Sequence, residues 1–143
     1  MQSIVKTVIC AAFCGTGKTT ICENSQIKAI EIEYWKYKGL KNEFLQDIKK
    51  NIGLVDIILI QTDSESLNLL HHEGIEIVLV YPNVKLRNEY LDRYIDRDNP
   101  YDFIGSMMKY WNQNINELSK RKYCKHIILE KNQYLNDIIH QIL

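Results

Sequence analysis

The residues best suited to chemistry lie near the N-terminus, in the run Ala12-Phe13-Cys14-Gly15-Thr16-Gly17-Lys18-Thr19. They follow the phosphate-loop pattern G-x-x-x-x-G-K-[ST], with Ala12 in place of the first glycine. Gly15 and Gly17 let the backbone turn tightly and turn N–H groups toward phosphate oxygens. Lys18 would reach the β- and γ-phosphates, and the Thr19 hydroxyl would ligate Mg²⁺. Thr20 follows in the first turn of a helix whose dipole favours an anion at its start. The pattern therefore predicts a site for ATP and Mg²⁺ along residues 12–20. The plainer alternative is a strand-to-helix turn in which Gly-Lys-Thr holds nothing. Ala12 asks only for a backbone that tolerates a β-carbon; Gly-Thr-Gly-Lys-Thr is the specific part.

Such a loop needs a strand before it and a helix after it, and the chain supplies both. Val5–Ala12 is a β-branched run that reads as the first strand, and Gly17–Ser25 as a short helix. Lys28–Trp35 alternates Ile30 and Ile32 with Glu31 and Glu33, as a second strand should. Leu40–Asn51 spaces Phe44, Leu45 and Ile48 as a helix, with Gly53 as a stop. Val55–Gln61 is almost wholly apolar, the mark of a strand buried on both faces. Ser64–Glu73 is a helix that Asp63 can cap. Ile75–Tyr81 is the fourth strand, ended by Pro82. Val84–Arg97 carries Leu86, Tyr90, Leu91, Tyr94 and Ile95 along one stripe. Asp98-Asn99-Pro100 breaks it and starts another helix, with Asn99 as cap and Pro100 at the first helical position. That helix shows one apolar face from Phe103 to Leu118. Tyr123–Leu129 is the fifth strand, and Leu135, Ile138, Ile139 and Ile142 line a closing helix. Strands separated by helices imply βαβ units and a parallel sheet covered on both faces.

With 143 residues and no linker, repeat or low-complexity segment, the chain reads as one α/β domain over residues 1–143. Eighteen basic residues balance eighteen acidic ones, so the electrostatic excess that drives nonspecific nucleic-acid or membrane binding is missing. No apolar run approaches the roughly 20 residues that span a bilayer. The Met1-Gln2-Ser3 start lacks the basic character of a signal peptide, which makes the cytoplasm the expected location. Cys10, Cys14, Cys22 and Cys124 form no Cys-x-x-Cys pair and read as reduced thiols.

The N-terminal phosphate loop, the five strands and the Arg-bearing helix after the fourth strand resemble the P-loop kinases of small molecules, among them the nucleoside monophosphate, shikimate and gluconate kinases. The runs VDIILIQTD, IEIVLVYP, LRNEYLDRY and CKHIILE also resemble short ATP-binding proteins of phages and prophages. The resemblance implies the P-loop NTPase fold, a three-layer α/β/α sandwich on a five-stranded parallel sheet of order 2-3-1-4-5. It places the site at the C-terminal ends of the strands.

It also implies roles for further residues. Glu33, at the end of the second strand, would take a proton from an acceptor hydroxyl or help hold Mg²⁺ through water. Asp63 would do the same after the third strand. The plainer alternatives are alternation on a half-exposed strand for Glu31 and Glu33, and a helix cap for Asp63. Arg93 and Arg97, four apart on one helical face, would stabilise charge on the phosphoryl group in transfer, with Arg87 a weaker third. Alternatively Arg93 pairs with Glu89 on a solvated face. Tyr34, Trp35 and Tyr37 could stack on a base, although core packing by at least one of them competes. His71 and His72 read as dipole or packing residues rather than catalytic ones. Cys14, inside the loop, is a candidate for oxidation.

The expected activity is transfer of the γ-phosphoryl of ATP to a small molecule, a nucleoside or nucleotide. A nucleotide-binding regulator without turnover is the alternative, and a polynucleotide 5′-kinase a second one that the zero net charge disfavours. The short stretches Tyr37–Gly39 and Asp98–Pro100, where related kinases insert more chain, suggest a small acceptor or a homodimer whose partner closes the site.

Overall fold

The structure, a computed structural model, describes residues 5–143; the Met1-Gln2-Ser3 start lies outside the described residues. Aliphatic and β-branched runs form the strands β1 (Val8–Ala12), β2 (Ala29–Glu31), β3 (Ile57–Ile60), β4 (Val78–Pro82) and β5 (Lys125–Leu129). All pair in parallel, in the order β2-β3-β1-β4-β5. This is the sheet order implied by the resemblance to P-loop kinases.

The helices are α1 (Lys18–Cys22), α2 (Lys41–Asn51), α3 (Ser64–His72), α4 (Arg87–Asp96), α5 (Tyr101–Lys109), α6 (Trp111–Ser119) and α7 (Leu135–Ile142). They cover the sheet on both faces, because strand side chains alternate between two cores. Ile9, Ala11, Ile58, Ile60 and Leu79 face the core built with α2 to α6. Cys10, Ala12, Ile57, Leu59 and Val80 face the core built with α1 and α7. Every residue of β3 is fully buried, as its unbroken apolar run requires. Burial pushes the Cys10 thiol up to about 12, which leaves it a small inert core residue.

Several local expectations change. The first and fifth strands start later, at Val8 and Lys125, the fourth runs Val78–Pro82 with Pro82 inside it, and Val84–Leu86 forms a tight turn ahead of α4. The second strand closes at Glu31, and after Ile32 donates to the Leu59 carbonyl (2.9 Å) the chain coils into a tight turn over Tyr34–Tyr37. Tyr34 then packs edge-on against Phe44, which a continuing strand would not allow. The first helix is shorter than Gly17–Ser25 and ends at Cys22. Pro100, not Asn99, holds the cap position of α5 in an extended conformation. The helix drawn from Phe103 to Leu118 is two helices broken at Tyr110, because Trp111 turns inward to full burial and donates from Nε1 to the Val84 carbonyl (2.7 Å). Among the described residues, no helix is long and apolar enough to cross a membrane.

Candidate functional site

The chain leaves β1 at Ala12, and Phe13 still donates to the Val80 carbonyl (2.9 Å) of β4. Beyond it every carbonyl as far as the start of α1 is held. Ala12 O accepts from Lys18 Nζ (3.0 Å), Phe13 O from the Thr16 hydroxyl (2.6 Å), and Cys14 O from the Tyr94 hydroxyl (2.9 Å). Gly15 O accepts from Arg93 Nη1 (2.9 Å), and Thr16 O from the Leu135 amide (2.9 Å). A trans peptide points its carbonyl and the following N–H in opposite directions. Each engaged carbonyl therefore turns the N–H of its own peptide unit the opposite way. The amides of Cys14 through Thr19 donate to no acceptor among the described residues.

The two loop glycines are required by this path. Gly15 has φ 89°, and a β-carbon on it would stand 2.9 Å from the Tyr94 ring. Gly17 has φ 96°, with the Tyr134 ring 3.3 Å from where its β-carbon would be. Both lie in the left-handed region that side-chain-bearing residues avoid. Ala12 is fully buried with ordinary strand geometry, so its methyl group is accommodated.

The loop borders a cleft of about 500 Å³. Gly15, Gly17, Lys18, Thr19 and Thr20 form its floor, Glu31, Glu33 and Gln61 one wall, and Arg93, Asp96, Arg97 and Tyr134 the other. Lys18 spends one of its three N–H donors on Ala12 O and keeps the others for a ligand. The sequence-nominated Lys18, Thr19, Glu33, Arg93 and Arg97 thus come together around one cavity. Asp63 does not join them: it caps α3, with both carboxylate oxygens accepting from the amide or hydroxyl of Ser66.

The two arginines of α4 differ sharply. Arg93 is 7% exposed and lies between the rings of Tyr90 and Tyr134, 4.3 and 3.8 Å from their centroids. Its guanidinium donates to Gly15 O, to Glu89 (2.9 Å) and to Gln133 O (3.0 Å). Glu89 in turn accepts from the Asn132 amide (3.0 Å). Arg93 is therefore a clamp joining α4, the phosphate loop and the turn before α7. Arg97, one turn on, makes no ion pair among the described residues and borders the cleft. Arg87 is spent on the Met108 carbonyl (3.2 Å).

Burial raises the Glu31 carboxyl above its ordinary range, helped by a hydrogen bond with Glu33, whose charge lies close by. Glu33 also pairs with Lys36 (3.5 Å). Among the described residues no group of three or more His, Cys, Asp or Glu could form an all-protein metal cage. Mg²⁺ bound with a nucleotide needs no such cage, since phosphates and water fill most of its shell. The Thr19 hydroxyl and the Glu31–Glu33 pair, bordering one cleft, suit that mode.

Tyr34, Trp35 and Tyr37 do not border this cleft. Tyr34 and Tyr37 pack on Phe44, and Trp35 is 63% exposed. His71 stacks on Tyr123. Cys14, like the other cysteines, is a free thiol. Sequence reasoning did not single out Tyr94 or Tyr134 as loop supports. Tyr94 read as core from its stripe, and nothing in the pattern around Tyr134 marks it. No protein-family model matches this chain, and no curated protein matches it either.

Proposed function

We propose that the chain binds ATP with Mg²⁺ on the amide side of Gly15–Thr19 and transfers the γ-phosphoryl group to a small molecule, a nucleoside or nucleotide. The observation that carries this reading is the loop whose carbonyls are all engaged by the protein, while its amides donate to no acceptor among the described residues and Lys18 borders one cleft. Backbone amides fixed beforehand stabilise a polyanion without reorganising when it arrives. The loop carries this role more than the helix dipole does, because α1 is only five residues long.

In the transfer, an acceptor oxygen attacks the γ-phosphorus as the bond to the β–γ bridging oxygen breaks, and that oxygen leaves with the electron pair on ADP. The acceptor's proton passes to Glu33. Lys18 and Arg97 meet the charge that develops on the transferred group. Mg²⁺, when bound, would neutralise charge on the β- and γ-oxygens. Arg93 serves as a positioning residue that keeps Gly15 in place.

Isothermal titration with ATP and Mg²⁺, followed by a screen of nucleosides and nucleotides for ADP release, tests this reading. Binding with acceptor-dependent release is expected, and absence of ATP binding would overturn it. The short turn at Lys38–Gly39 and the Asp98–Pro100 connection favour a second reading, since little chain is available there to close over a substrate. In that reading the protein is a nucleotide-binding regulator, and ATP binding without ADP release under any acceptor would select it.

A further inference from the structure

A second cleft, of about 450 Å³, adjoins the phosphate cleft, and Cys14, Lys18 and Gln61 line both. It lies between the end of β3 and the α5–α6 pair, which supplies Phe103 and Met107 from one helix and Asn114, Glu117 and Leu118 from the other. Three classes of side chain line it. Phe13, Phe103, Met107 and Leu118 give an apolar wall. Gln61, Thr62, Ser64 and Asn114 offer neutral amides and hydroxyls whose side chains make no hydrogen bond among the described residues. The charged groups are Lys18, Arg121, Asp63 and Glu117.

The charges decide what fits. Lys18 is required by the donor phosphates on the proposed function's reading. The remainder is one guanidinium against two carboxylates. That guanidinium donates to Asn68 Oδ1 (2.8 Å) on α3 and to the Tyr123 hydroxyl, while Asp63 accepts from Ser66 and Glu117 from Gln113 (3.3 Å), so all three keep their charge with a neutral partner. A second phosphate dianion in this cleft would meet a net negative lining, which opposes it. An uncharged ring-bearing molecule would satisfy the apolar wall and the neutral polar groups together, and a nucleoside matches the volume.

We infer that this cleft seats the phosphoryl acceptor, and that the acceptor is an uncharged, hydroxyl-bearing molecule of nucleoside type rather than a nucleoside monophosphate. The inference rests on the phosphate-loop reading above. An acceptor hydroxyl placed at the Lys18–Gln61 junction would face the γ-phosphate, and the bonds made and broken are those already given for the transfer.

The test uses the full chain with Mg²⁺ and an ATP analogue whose β–γ bridge is a methylene. Ribo- and deoxyribonucleosides and their 5′-monophosphates are titrated against it by calorimetry. At least one nucleoside should bind about tenfold more tightly than its monophosphate. Met107→Trp, which fills the cleft, and Asn114→Leu, which removes a polar partner, should each weaken that nucleoside about tenfold while the analogue's affinity stays within about twofold. Monophosphates binding as well as nucleosides, no nucleoside binding, or wild-type nucleoside affinity in both folded variants would each overturn the inference. Failure of the analogue itself to bind would instead overturn the phosphate-loop reading, so the two failures are separable.

Discussion

The two sides of the loop from Phe13 to Thr19 are made of the same peptide units and are treated oppositely. On the outer side Tyr94, Arg93, Thr16 and the Leu135 amide each hold a carbonyl, drawing on α4 and the start of α7. On the inner side the amides are left to a cleft. Arg93 and Arg97 repeat the contrast within one helix: the first is buried and fully engaged, the second faces the cavity without an ion pair among the described residues. The lesson concerns preorganisation. Amides that meet an anion would gain strength from not having to move, and here the carbonyls of the same peptide units are already held by the protein.

That contrast breaks most visibly at Lys18. Lys18→Ala should lower phosphoryl transfer by about a thousandfold, roughly 4 kcal/mol of transition-state stabilisation. The melting temperature should stay within about 3 °C, since Lys18 makes a single part-buried hydrogen bond, to Ala12 O. Steady-state ADP release and a thermal melt read both halves; retained activity would sink the inner-face assignment.

Arg93→Ala should act the other way round. Removing a buried guanidinium leaves Glu89 and two carbonyls without their partner, a cost of about 3 kcal/mol in urea unfolding. An unchanged midpoint would show that the outer face is not held as described. Arg97→Ala sharpens the comparison. It should cut turnover by about thirtyfold, near 2 kcal/mol, with stability changed by less than about 0.5 kcal/mol. Equal loss of stability in the two arginine variants would erase the distinction.

The smallest effect is expected at Glu31. Burial, then the Glu33 hydrogen bond, holds its carboxyl above the ordinary value of 4.5. The folded state keeps a proton there that the unfolded chain has released, so stability declines as pH rises from about that value through the raised one. Glu31→Gln removes the decline. Melting temperature should rise by about 2 °C at neutral pH and not at all below the window. A gain of the same size at every pH would assign it to packing instead.

Much of this architecture could be read from residue patterns, and the reasons are local. A run such as Val55–Gln61 has no polar face, so it must be a strand covered on both sides, and the glycines of the loop mark positive φ wherever they stand. The limits are equally physical. Arg93 and Arg97 share a helical face by spacing, yet only contacts made across 78 residues of chain, to Gly15, determine that Arg93 is the clamp. Tyr94 reaches Cys14 across 80 residues in the same way. Asp63 as a cap was legible from its place before α3; that capping would occupy both of its oxygens was not. The break at Tyr110 leaves no mark in the sequence, because apolar spacing continues unbroken from Met107 and Met108 to Trp111 and Ile115, and periodicity alone does not register that Trp111 must turn to reach Val84.

Uniformly ¹⁵N-labelled protein titrated with ATP and Mg²⁺ would read the amides themselves. The largest chemical-shift changes should fall on Cys14 to Thr19, moving downfield as each N–H meets a phosphate oxygen, while the Phe13 amide, already bonded to Val80, moves little. Saturating shifts confined to other parts of the chain, or no shifts at millimolar ATP, would contradict the assignment of this loop as a triphosphate site.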